Sequence, residues 1–305
     1  LKEGEFFCRS SADTFFIVFL DTDKEEVSNR LNKIITGVKE ASVMYGNYSY
    51  ELSLYSGVAV MGDREKALVA LQSIKLSHQK DIAFYNKALH DEIRVKNSIE
   101  SNMHLALKNK EFKLFLQPKY NLKNDKLIGA EALVRWQNPD GSYRYPGEFI
   151  PLFESNGFCL KLDMYMVEKV CKQIRSWMDA GIKPIPISVN QSKLLFSDRN
   201  YPNHLEQITK KYNVPPSLIT LEILEGVATS DIDFLNQQIE ALHQKGFKVS
   251  MDDFGSGYSS LNMLYQLKID ELKLDRGFLR KVSQDNNERR QIILEQIIRF
   301  AKKLG

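Results

Sequence analysis

From Phe112 onward the chain repeats one pattern: a short apolar run rich in β-branched residues, a polar residue near its end, then a helix-length segment. The polar residues are Glu131 in GAEALVRW, Asn190 in PISVNQS, Glu222 in ITLEILE, Asp252 and Asp253 in VSMDDFGSG, and Lys273 in ELKLDRGF. Strands alternating with helices predict a parallel α/β sheet or a (β/α) barrel. In a barrel the C-terminal strand ends converge on one face, where chemistry is built. Carboxylates and an amide gathered there suit a hard divalent cation such as Mg²⁺ or Mn²⁺. A lysine beside such a cation points to phosphate ester chemistry. Taken singly, an acid after a strand is more often a helix cap or a solvated loop residue. Recurrence at successive strand ends argues against that for the set.

Composition narrows the class without naming the chemistry. A length of 305 residues favours two domains, and 43% apolar with 27% charged residues reads as soluble and globular. The net charge of +3 is too small to imply nucleic-acid or membrane binding, and no DNA or RNA partner is expected. Cys8, Cys159 and Cys171 are too scattered for a zinc site and fit a reducing, cytoplasmic setting. The apolar run from Phe15 to Leu20 is far too short to span a bilayer, so no membrane contact is expected within this chain. The DFG inside MDDFGSG is not a kinase signature, because no glycine-rich loop or HRD-type segment precedes it.

The first part, residues 1–86, reads as a small α/β unit. Two strands near Glu5–Cys8 and Phe15–Leu20 flank the turn RSSAD, and a polar helix follows from about Lys24 to Lys39. One long strand is expected through YELSLYSGVAVM, then a helix from Arg64 to Ile74. Residues 87–97 read as a helical linker, and residues 98–305 as the second domain. Within it, YPGEFIPLFESNG opens a helix with Pro and closes it with Gly, and an amphipathic helix runs from about Lys161 to Ala180.

The segments EFKLFLQPKYNL, GAEALVRW, YPGEFIPLFESNG, ISVNQS, LEILE, MDDFGSGYSSL and LKLDRGFL occur in one order with one spacing. In that order they closely resemble the EAL domain of bacterial signalling proteins, a cyclic di-GMP phosphodiesterase module. The resemblance implies a modified TIM barrel with one antiparallel strand. It also implies a hydrolase that opens one phosphodiester bond of cyclic di-GMP to give linear pGpG, using two Mg²⁺ or Mn²⁺ ions. Carried onto this sequence, Glu131, Asn190, Glu222 and Asp252 would be the main metal ligands, and Asp253 would hold the second metal or its bridging water. Lys273 would orient or help deprotonate that water, Arg135 would contact a substrate phosphate, and Gln117 and Leu133 would line the nucleotide site. Glu225 would support the DDFGSGYSS loop, which in this family couples metal binding to homodimer formation.

The N-terminal part more weakly resembles the end of a GGDEF diguanylate cyclase domain. Ser11, Ala12, Asp13, Thr14 and Phe15 stand at the five signature positions, so both glycines and the metal-holding Glu are replaced. Cyclase activity is not expected of such a degenerate, partial domain. The RxxD pattern of the family's inhibitory site survives only as Lys2 to Glu5, without the bidentate Arg. At the other end, EAL domains continue past AKKLG into a strand carrying a further Glu ligand, and this chain is expected to lack those elements. The alternative function is a receptor that binds cyclic di-GMP without cutting it, and the cell context expected is cytoplasmic, with the cytosolic part of a larger, membrane-anchored protein as the alternative.

Overall fold

The computed structural model describes residues 1–41, 43–45, 48–50, 52–60, 63–77, 80–224, 232–255, 265–277 and 288–304. They fall into two units, Leu1–Asn102 and Met103–Gly305. Helix α3, Lys87–Lys108, carries the chain from the first into the second.

In the first unit β1 (Phe6–Arg9) and β2 (Phe15–Val18) form the antiparallel hairpin that the Ser and Asp residues of the turn predict. Helix α1, Lys24–Glu40, starts where the Asp23 carboxylate accepts the Glu25 amide at 3.2 Å. Its buried Val27, Leu31 and Ile35 recur every four residues, one stripe of a 3.6-residue helix. The expected long strand through YELSLYSGVAVM is broken. Short strands β3 (Val43–Tyr45) and β4 (Tyr48–Tyr50) pair with each other, and β5 (Ser56–Val58) instead runs parallel to β6 (Ile82–Phe84). Within β5, Gly57 packs closely on helix α2 (Arg64–Ser77): a Cβ there would meet the Ala67 carbonyl oxygen at 2.2 Å. Lys2 and Glu5 are both engaged within the unit. Lys2 pairs with Asp21 and Glu26, while the Arg30 guanidinium grips Glu5 at 2.6 Å and holds that carboxyl well below its usual range.

The second unit is built on a seven-stranded mixed sheet. Strands β7 (Phe112–Tyr120) and β8 (Leu127–Gln137) are antiparallel, and the two-residue β9 (Tyr143–Arg144) also pairs antiparallel with β8. From β8 the sheet continues in parallel through β10 (Ile187–Gln191), β11 (Ile219–Leu224), β12 (Lys248–Phe254) and β13 (Glu271–Leu274). It curls strongly, because Lys119 on the strand at one end reaches Glu271 on the strand at the other at 3.4 Å.

One face of these strands is apolar and closed. Ile187, Val189, Ile219, Leu221, Ile223, Val249 and Met251 are almost wholly buried. So are Val167, Val170 and Ile174 of helix α5 (Cys159–Asp179), and Ile239 and Leu242 of helix α8 (Ile232–Gln244). Between these helices the chain forms the one-turn α6 (Lys193–Phe196) and helix α7 (Tyr201–Tyr212). Phe112, Trp136, Phe149, Phe153 and Phe158 make a second cluster, with ring centroids 4.6 to 6.5 Å apart. Helix α4, Pro146–Asn156, delivers two of these rings; it opens on Pro146 and ends at Gly157 in the left-handed conformation (φ 76°).

Candidate functional site

The period of two along a strand decides what the other face carries. On β10, Val189 points into the apolar layer and its neighbours Ser188 and Asn190 away from it; on β11, Leu221 and Ile223 flank Glu222 in the same way. Glu131 lies beside Ser188, Asn190 beside Glu222, and Glu222 beside Ser250. The pleat therefore sets Glu131, Glu222 and Asp252 around a common point. Oxygens of these three carboxylates lie within 4.8 Å of one another, an arrangement that could hold a metal ion.

Lys273 stands in the middle. Its ammonium donates to Asp252 at 2.6 Å, to Glu222 at 2.9 Å and to Glu131 at 3.0 Å. Burial works against the charged lysine, but the hydrogen bonds to Asp252 and Glu222 and the nearby negative charge outweigh it, so its pKa is raised above the usual lysine range. In this arrangement Lys273 is a cation and a donor. Asn190 joins the group by donating to the second oxygen of Glu131 at 3.3 Å.

Asp253 sits next to the cluster rather than in it. Its backbone takes the left-handed conformation (φ 56°) at an irregularity in the β12–β13 register, and its amide donates to the Asp252 carboxylate at 2.8 Å. Burial, then the negative charge of Asp252, raises its pKa. Gln117 lies directly opposite Glu131 across the β7–β8 pair and so shares its side of the sheet. Leu133 and Arg135 follow at the next alternate positions of β8. Arg135 stacks over Tyr145 at 5.2 Å and over Phe115 at 5.9 Å, and it touches none of the three carboxylates. Glu225 and Gly257 lie outside the described residues, as does the DDFGSGYSS loop from Ser256 onward.

Two further features went unread in the sequence. Below the cluster, Lys119 donates to the Ser188 hydroxyl at 2.5 Å, to the other oxygen of Glu222 at 3.1 Å and to Glu271 at 3.4 Å. The signal was present: Lys119 follows Gln117 by two residues and Glu271 precedes Lys273 by two, so each shares its strand face with a residue already singled out. Behind the end of β10, Asp163 on α5 accepts the Ser192 amide at 2.7 Å, and Gln191 accepts the Tyr201 hydroxyl at 2.6 Å. Burial pushes the Asp163 carboxyl up to about 7. These bonds fix the end of the strand that presents Asn190.

The EAL domain family matches residues 100–305, the stretch that supplies every group in this site. The chain belongs to the EAL-domain family. It is 27% identical over 305 residues to the bifunctional diguanylate cyclase/cyclic di-GMP phosphodiesterase MucR of Pseudomonas aeruginosa, covering 97% of this chain and 44% of that protein. It is 29% identical over 289 residues to the signaling protein YkoW of Bacillus subtilis, covering 92% of this chain and 36% of that protein. This EAL chain therefore spans less than half the length of both curated relatives. Among solved structures, the PaMucR phosphodiesterase in complex with c-di-GMP superposes with a TM-score of 0.63 at 33% identity, over 68% of this chain and 83% of that one. The EAL enzyme Bd1971, in its cAMP- and cyclic-di-GMP-bound form, gives 0.62 at 27% identity, over 77% of this chain and 61% of that one. No described helix of this EAL chain is long and apolar enough to cross a membrane.

Proposed function

We propose that the second unit hydrolyses cyclic di-GMP to linear pGpG with the help of Mg²⁺ or Mn²⁺. The observation that carries this reading is the convergence of Glu131, Glu222 and Asp252, with Asn190 beside them, on one point of the sheet's polar face. An all-oxygen donor set of that kind fits a hard divalent ion and not a soft one. Glu131, Asn190, Glu222 and Asp252 would hold one ion, and Asp253, one residue further on, would serve a second. Such ions lower the pKa of a bound water to roughly 7, giving a hydroxide-like nucleophile near neutral pH.

The residues of the chain then divide the remaining work. Lys273, the one cation within reach of all three carboxylates among the described residues, orients the nucleophilic water and stabilises charge as the phosphodiester bond breaks. Arg135, two pleats along β8 from Glu131, is available to a substrate phosphate, with Leu133 and Gln117 lining the nucleotide between them. The curled sheet is read as part of a modified TIM barrel, with β7 as its antiparallel strand. The first unit is read as a degenerate cyclase-like domain without catalysis of its own, and the assembly as a cytoplasmic homodimer through the EAL domain.

The test is to incubate the chain with cyclic di-GMP and Mg²⁺ or Mn²⁺ and to resolve the nucleotides by chromatography beside a Glu131→Ala control. Appearance of pGpG with the parent alone supports the reading. Cyclic di-GMP that is bound but left intact in every metal would replace it with a receptor function.

A further inference from the structure

The metal-facing cluster rests on a second lysine. Glu222 has no exposed side-chain surface, and its two oxygens go in opposite directions along the strand: one to Lys273 at 2.9 Å and the other to Lys119 at 3.1 Å. Lys119 is anchored independently of Glu222. The Ser188 hydroxyl accepts from it while itself lying 3.4 Å from the Ala130 carbonyl oxygen, and Glu271 pairs with it from the far edge of the curled sheet. Gly129, opposite Lys119 in the β7–β8 register, has no side chain to crowd it and is kept small by the Pro186 carbonyl, 2.9 Å from where a Cβ would stand.

From this geometry we infer that Lys119 is a positioning residue for the hydrolysis proposed above, holding the lower oxygen of Glu222 so that only the upper one faces Glu131 and Asp252. The inference rests on the phosphodiesterase reading. Two consequences have opposite signs. An ammonium behind a ligand carboxylate opposes the binding of a divalent cation on its other side, because like charges separated by one carboxylate group still repel appreciably in a partly buried site. The same ammonium keeps the carboxylate in one orientation. Released, Glu222 can turn both oxygens toward a cation, and a misplacement of about 1 Å in reacting groups can cost about 100-fold in rate. Removing Lys119 should therefore tighten metal binding and slow turnover. A residue that merely props up the fold would weaken both.

The experiment is a titration of the full chain and of Lys119→Gln with Mn²⁺ alone, followed by calorimetry or by the paramagnetic signal of free Mn²⁺. Steady-state turnover of cyclic di-GMP and a thermal melt accompany it. Roughly tenfold tighter Mn²⁺ binding at low salt, with kcat lowered roughly tenfold, is the expected result. Lys119→Arg, which keeps the charge, should bind Mn²⁺ like the parent. Unchanged affinity and rate in Lys119→Gln would overturn the inference, and so would parallel losses of affinity, rate and melting temperature. If the parent itself binds no Mn²⁺ and cuts no substrate, the phosphodiesterase reading falls and takes this inference with it. Normal parent behaviour with an unaffected variant isolates the failure to Lys119.

Discussion

The two faces of the curled sheet are made by the same strands and do opposite things. Toward the helices, Ile187, Val189, Ile219, Leu221, Ile223 and Val249 are at most 1% exposed. On the other face the same strands carry Ser188, Asn190, Glu222, Ser250 and Asp252, joined by Lys119, Glu131, Glu271 and Lys273 from their neighbours. The apolar face stabilises through area removed from water, about 25 cal/mol per Å². The polar face gains little of that and gathers charge instead. A buried carboxylate such as Glu222 is tolerable only because two ammonium groups meet it. Damage to the first face should thus appear in stability and damage to the second in activity.

The largest effect should come from Glu131→Ala, with turnover of cyclic di-GMP falling at least 1,000-fold, equivalent to about 4 kcal/mol in the barrier. Its melting temperature should stay within a few degrees of the parent, checked by circular dichroism. A variant that still turned over at the parent rate would remove Glu131 from the site. Lys273→Ala should follow, lowering kcat by roughly 100-fold. Its substrate affinity, measured by equilibrium binding, should change far less. Equal losses in both would assign Lys273 to binding.

Leu221→Ala reverses the pattern. It removes a fully buried side chain one residue from Glu222 and should cost about 3 kcal/mol in chemical denaturation. Activity per folded molecule should be retained. If activity collapsed while stability held, the two faces would not be separable.

The smallest effect should come from Asp163→Asn, and it depends on pH. Burial raises the folded-state pKa of Asp163 to about 7, above that of the unfolded chain, so the native protein holds a proton that the unfolded one releases. Stability from this group is present at low pH and is lost as pH rises from about 4 toward 7. Asparagine still accepts the Ser192 amide and carries no charge, so Asp163→Asn should melt higher than the parent at pH 8, and the difference should vanish near pH 4. A pH-independent difference would refute the assignment.

Much of this was legible because strand chemistry has a short period. Asn190, Glu222, Asp252 and Lys273 each lie near a strand's end, and the structure brings them together with Glu131, which sits in the middle of the long strand β8 and not at its end. Lys119 and Glu271 obeyed the same period but were passed over: Glu271 opens its strand, and Lys119 closes β7, whose antiparallel course puts its end beside the starts of the other strands. Asp163 could not be read that way. It lies on a helix, where a lone acid looks like one more solvated position, and only packing of α5 on β10 shows that it is partly buried and bonded to the Ser192 amide. The strand expected through YELSLYSGVAVM failed for a related reason: alternation within a run does not reveal that its two ends pair with different partners, β4 with β3 and β5 with β6.

The most direct test is a crystal of the chain grown with Mn²⁺ and examined by anomalous diffraction. The account predicts an anomalous peak bonded to Glu131, Glu222 and Asp252, with Asn190 beside it and the Lys273 ammonium displaced from the centre. Lys273 still bound to all three carboxylates, with Mn²⁺ absent or held elsewhere, would contradict it.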